Sequence, residues 1–113
     1  MKLYQVDSFT DSPFGGNPAA VCLMETTREE SWMLKVAREM NLSETAFCLP
    51  LHDGYSLRWF TPVTEVDLCG HATLATAHIL WETGLLKTNQ DARFQTKSGL
   101  LTARLDGSWV LMD

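Results

Sequence analysis

The stretch Asp67-Leu-Cys-Gly-His-Ala-Thr-Leu-Ala-Thr-Ala-His-Ile-Leu-Trp-Glu-Thr-Gly84 constrains the chain more than any other. Its body reads as a helix with apolar or small side chains on nearly every face, and such a helix is buried rather than laid on a surface. Gly84 stands where a glycine commonly ends a helix. The flanking sequence offers short strands, so the simplest arrangement is an α+β fold in which a barrel-like mixed sheet curls around this central helix. Cys69, Gly70 and His71 then lie at its mouth, and chemistry, if there is any, belongs there.

A chain of 113 residues makes one domain with a single core, residues 1–113. Its net charge of -5, with no basic cluster, argues against nucleic acid or an anionic membrane as the main partner. No apolar run approaches the roughly 20 residues of a membrane span, and Met1-Lys2-Leu3-Tyr4-Gln5 lacks the apolar region of a signal peptide. The default location is therefore cytoplasmic. Cys22, Cys48 and Cys69 are odd in number and widely spaced, which predicts reduced thiols and neither a disulfide framework nor a zinc site.

Taken in order, Lys2 to Phe9 reads as a strand, Thr10 to Gly16 as a loop, and Asn17 to Met24 as a second strand apolar enough to be buried on both faces. Gly15-Gly16-Asn17-Pro18 is either a place of close backbone approach or an ordinary tight turn. Thr27-x-x-Glu30 has the form of a capping box. Beyond it Trp32, Met33, Val36, Ala37 and Met40 recur at helical spacing, the core-packing stripe of an amphipathic surface helix ending near Asn41. Leu42 to Leu49 forms a strand closed by Pro50, and His52-Asp53-Gly54 turns it into a hairpin with Tyr55 to Phe60. Tyr55, Leu57 and Trp59 share one face of that second strand; Ser56, Arg58 and Phe60 share the other. After the helix, Ala92–Thr96, Leu100–Leu105 and Ser108–Met112 read as three strands, the last two joined by Asp106-Gly107.

Four residues could carry chemistry. Glu44 has Leu42, Ala46 and Phe47 around it; it is either a carboxylate whose proton affinity is raised by apolar neighbours, suited to acid–base work, or a carboxylate on a strand's solvent face. Cys69 precedes the first helical turn, where the dipole favours thiolate, and is otherwise an inert buried thiol. His71 can shuttle a proton or orient a carboxylate, and the helix-end N–H groups, with Gly70 leaving room, form an anion site. His78 reads as a hydrogen-bonded surface histidine and His52 as exposed. No ligand set, phosphate loop or nucleophile elbow is present, which leaves proton transfer without a cofactor.

Five segments taken together are specific: Asp7-Ser-Phe-Thr10, Gly16-Asn-Pro-Ala-Ala-Val21, Ala37-Arg-Glu-Met-Asn-Leu-Ser-Glu-Thr-Ala-Phe47, Arg58-Trp-Phe-Thr-Pro62 and Glu65-Val-Asp-Leu-Cys-Gly-His-Ala-Thr-Leu74. In this order the chain resembles the N-terminal half of the phenazine-biosynthesis isomerase (PhzF-like) family, which shares its fold with diaminopimelate epimerase and proline racemase. The resemblance implies two similar domains, each a sheet wrapped round a helix, with the active site between them. It implies that Glu44 moves a substrate proton without a cofactor, that His71 and Gly70 line a pocket for a small carboxylate, and that Asn17, Ser43, Ala72 and Thr73 lie near it. Cys69 matches the position of a catalytic base in the racemase branch, so a racemase or epimerase is the alternative enzyme.

The family's second domain is missing from this sequence. Three explanations are open: a fragment of a longer protein, a short protein that pairs as a homodimer to rebuild the cleft, or an inactive half that binds itself or a partner.

Overall fold

The computed structural model describes residues 1–6, 18–106 and 109–112, with side chains through Leu105. In chain order these hold β1 Lys2–Val6, β2 Ala19–Leu23, α1 Glu30–Met40, β3 Glu44–Leu51, β4 Gly54–Phe60, β5 Glu65–Val66, α2 Gly70–Glu82, β6 Ala92–Thr96, β7 Gly99–Asp106 and β8 Trp109–Met112. The strands form one mixed sheet in the order β1-β2-β3-β4-β6-β7-β8, with β5 paired to β4 off this path. The sheet is open, with β1 and β8 at its two ends. Strand pairs β2–β3 and β4–β6 are parallel, and a helix bridges each: α1 the first, α2 the second. Because β3 and β4 run antiparallel, two crossovers of one hand stepping the same way across the sheet place their helices on opposite faces.

The side chains follow that geometry. On one face Ala19, Val21, Ala46, Cys48, Leu57, Trp59, Phe94 and Ala103 form a core with Ala72, Ala75, Ala77, Ile79, Leu80 and Trp81 of α2. On the other, Cys22, Met24, Phe47 and Phe60 pack with Met33 and Ala37 of α1. All of β2 except Leu23 is fully buried, as expected for a strand covered on both sides. Helix α2 is buried except at its two ends, Gly70 and Glu82, and along the stripe His71, Leu74 and His78, and it contacts β2, β3 and β8. The alternation of Leu57 and Trp59 against Arg58 and Phe60 is as the sequence indicates.

Several boundaries differ from expectation: β3 begins at Glu44 rather than Leu42, the connection into α2 holds the short strand β5, and α1 and the end of β3 differ as follows. Helix α1 begins at Glu30 with Glu29 as its N-cap and no side-chain cap bond, so Thr27 closes no capping box. The Glu30 carboxylate is turned instead to Arg58, 3.2 Å away. The helix does end at Asn41, in the left-handed conformation at φ 51°. Strand β3 runs through Pro50 to Leu51 rather than stopping before it. The Cys48 carbonyl bonds to Met24 on the β2 side, so two residues on, the missing N–H of Pro50 also faces that side, where β2 has already ended. A proline is harmless at such an edge.

The β3–β4 hairpin turns through His52 and Asp53 and re-enters the sheet at Gly54, opposite Leu51. Gly54 has φ +110°, and a Cβ there would stand 2.6 Å from the Arg93 carbonyl oxygen of β6. Gly54→Ala is therefore expected to cost about 2–3 kcal/mol or more, read as a lowered urea midpoint, because both backbone conformation and close approach oppose it. An unchanged midpoint would contradict the parallel β4–β6 pairing at this point.

Candidate functional site

The N-terminus of α2 and the head of β3 meet. Glu44 is the first residue of β3, half-buried, in register with Ala19 of β2. Ala46 and Cys48 of the same strand face α2, and the pleat carries Glu44 to that side with them. Cys69 is the N-cap of α2, half-buried against the same core. The two are close enough for the Glu44 charge to push the Cys69 thiol up. Gly70 and His71, both half-buried, form the first helical positions beside them.

Of the two readings of Cys69, thiolate or inert thiol, this environment favours the thiol. Burial raises the thiol above its ordinary value and is the largest influence; Glu44 adds to it. The N–H groups of Ala72 and His71 act the other way without closing a cap hydrogen bond. Helix-end polarity is thus outweighed by desolvation and a neighbouring carboxylate. Cys22 and Cys48 are pushed up further, to about 11 and about 12, chiefly by burial, and are inert core thiols.

Ser43 is exposed one residue ahead of Glu44. The side chains of Ala72 and Thr73 are fully buried, so what either offers at the mouth comes from its backbone. The Thr73 N–H is already bonded to the Cys69 carbonyl. Asn17, with Gly16, the Asp7–Thr10 segment and the Gly107–Ser108 link, lies outside the described residues. His78 is half-exposed and 2.6 Å from Glu82, four residues on, and His52 is exposed, both as read from the sequence. Among the described residues no three or more His, Cys, Asp or Glu side chains are grouped to hold a metal, and no helix is long and apolar enough to cross a membrane. An apolar cavity of about 220 Å³ lies at the opposite end of α2, between Leu23, Cys48, Tyr55, Leu80 and Leu85, and has no part in this cluster.

Two sets of interactions around the mouth went unassigned in the sequence. In the first, Glu65 of β5, its side chain only 8% exposed, takes Arg58 in a two-pronged pair at 2.7 and 2.8 Å and Lys97 at 2.7 Å. Beside it Ser98 donates to the Asp67 carbonyl at 2.6 Å, so the β6–β7 turn is tied to the segment that leads into α2. In the second, Trp59 of β4 donates its indole N–H to Thr73 of α2. Both sets begin in the Arg58–Pro62 segment, whose recurrence as a motif was the available signal. Periodicity could not supply the partners.

The Arg58 guanidinium, then Lys97, hold the Glu65 carboxyl down at about 2, against an ordinary 4.5. A lowered folded-state value means stability that is present above about pH 4.5 and is lost as pH falls toward 2. With solvent screening at the exposed Lys97 end allowed for, the contribution is on the order of 2 kcal/mol. Glu65→Gln is expected to flatten the loss of stability between pH 4.5 and pH 2 in acid unfolding followed by circular dichroism. An unaltered acid limb would show that the pair is not formed in solution.

A family model described as phenazine biosynthesis-like protein matches residues 6–109. An uncharacterised isomerase of Halalkalibacterium halodurans is 62% identical over 111 residues, 98% of this chain and 42% of that protein. A solved phenazine biosynthesis protein of the PhzF family from Enterococcus faecalis superposes with a TM-score of 0.87 at 44% identity, over 96% of this chain and 41% of that one. A hydroxyproline epimerase from Agrobacterium vitis, at 12% identity and a TM-score of 0.71 over 97% of this chain and 40% of that one, shares the fold. The chain thus spans about 42% of the length of the curated relatives it matches. With the family model running through β2, β3 and the whole of α2, this chain belongs to the phenazine biosynthesis-like (PhzC/PhzF) protein family.

Proposed function

We propose that residues 1–113 form one domain and one wall of an isomerase site that moves a proton on a small carboxylate-bearing substrate without a cofactor, with Glu44 as the base. The observation that carries this reading is the meeting of Glu44 with Cys69, Gly70 and His71 at the N-terminus of α2. A carboxylate facing a helix end divides the labour: the helix N–H groups and His71 hold the substrate carboxylate, and Glu44 takes and returns the proton. Cys69, held as a thiol, serves as a neutral neighbour rather than as the base. Ser43 completes the near wall, and the family resemblance adds Asn17 as a substrate-binding residue.

The sheet is taken to wrap around α2, a reading supported by contacts of that helix with β2 and β3 toward one end of the sheet and β8 at the other. The half-exposed stripe His71, Leu74, His78 is the side left for the opposite wall, contributed by a further domain or by a second copy. Relatives more than twice as long support the first source. The test is solvent-deuterium uptake into candidate small carboxylic acids, followed by mass spectrometry, for the wild-type chain and Glu44→Gln. Label uptake that depends on Glu44 supports the reading; equal uptake by both proteins overturns it.

A further inference from the structure

We propose that Trp59 is a positioning residue for the mouth of α2, acting through Thr73 on the Cys69–Gly70 peptide and so aiming the Gly70 N–H at the substrate carboxylate. Its last step rests on the function proposed above. Trp59 and Thr73 are both buried, 1% and 0% exposed. The Trp59 indole N–H donates to Thr73 Oγ1 at 3.0 Å, and the Thr73 hydroxyl donates to the Cys69 carbonyl at 2.8 Å. The same carbonyl also accepts the Thr73 backbone N–H at 3.1 Å.

The polarity of this chain is fixed by its chemistry. An indole can only donate and a carbonyl can only accept, so the single hydroxyl proton of Thr73 goes to Cys69. Buried hydrogen bonds in series polarise one another, and the first donor strengthens the second bond. Two donors from within the helix hold the Cys69 oxygen toward the body of α2. Because a trans peptide is planar with its C=O and N–H opposed, the Gly70 N–H must then point away from the helix, out of the mouth. Gly70 has no side chain to shade it. A phenylalanine in place of Trp59 would keep an aromatic ring in the core but could not donate.

The other end of α2 supplies a control, since Trp81 donates its indole N–H to the Gln90 carbonyl at the same 3.0 Å. In the isotope-labelled chain, Trp59→Phe and Thr73→Val are each expected to shift the Gly70 amide and Cys69 carbonyl resonances. Each should weaken succinate binding, read at the Gly70 amide, by about threefold, the worth of a modest hydrogen bond. The double variant should bind no more weakly than Thr73→Val, because both changes cut one chain. Thr73→Ser should resemble wild type, and Trp81→Phe should leave both resonances in place. If Thr73→Val fails to fold, Trp59→Phe against Trp81→Phe carries the same comparison. Resonances unmoved by Trp59→Phe, or moved equally by Trp81→Phe, overturn the positioning role. Wild-type protein that does not bind succinate overturns the carboxylate step and the function above it, while the resonances still decide the positioning.

Discussion

Glu44→Gln is expected to lower solvent-deuterium exchange at the substrate by at least about 100-fold, the usual worth of a positioned general base, in whatever assembly supports exchange by wild type. Glutamine keeps the length and shape of the side chain and can still accept a hydrogen bond, so loss of exchange would isolate proton transfer from packing. The substitution falls at the head of β3, half-buried, where none of the ion pairs among the described residues involves Glu44, so the fold should survive it. Cys69→Ser, by contrast, should retain exchange within about tenfold, since a thiol held up by burial contributes little thiolate near neutral pH. The opposite pattern, exchange lost with Cys69 and kept without Glu44, would make the protein an epimerase or racemase of a different kind.

The second large effect is on stability. Phe47→Ala is expected to cost about 3–5 kcal/mol, the range for deleting a buried aromatic ring. Phe47 is fully buried on the α1 face and meets Trp32 and Phe60 edge-on, with ring centroids 6.1 and 5.4 Å away. It therefore joins α1, β3 and β4. Because β3 also carries Glu44, loosening it should raise hydrogen exchange first at the β3 amides. A cost below about 1 kcal/mol in urea unfolding would mean that α1 is not docked on this face.

Much of this architecture is legible in the sequence, for reasons that particular residues make plain. The apolar, small-residue body of α2 announces burial because Ala72, Ala75 and Ala77 can serve no other end so well as close packing on a sheet. Strand faces follow from two-residue alternation, as at Leu57 and Trp59 against Phe60. What local pattern cannot show is which strands become neighbours, and the parallel β4–β6 pair, with Gly54 against Arg93, depends on that. The same blindness hid the Arg58–Glu65–Lys97 cluster and the Trp59–Thr73 bond, each linking elements far apart in the chain. At Thr27 and Glu30 local and tertiary demands competed, and Arg58 won Glu30 from the capping box. At Cys69 the sequence left a thiolate and an inert thiol both open, and local pattern could not weigh burial and Glu44 against a few N–H groups.

At the centre of the account, Glu44 stands beside Cys69 at the mouth of α2 and pushes its thiol up. This can be tested without knowing the substrate, by following alkylation of Cys69 with iodoacetamide against pH in wild type and Glu44→Gln. Wild-type Cys69 should react with an apparent value above the ordinary thiol's 9.0, and Glu44→Gln should lower it, since the removed negative charge opposes thiolate formation. A Cys69 that already titrates below 9.0 in wild type, or a titration indifferent to Glu44, would contradict the account.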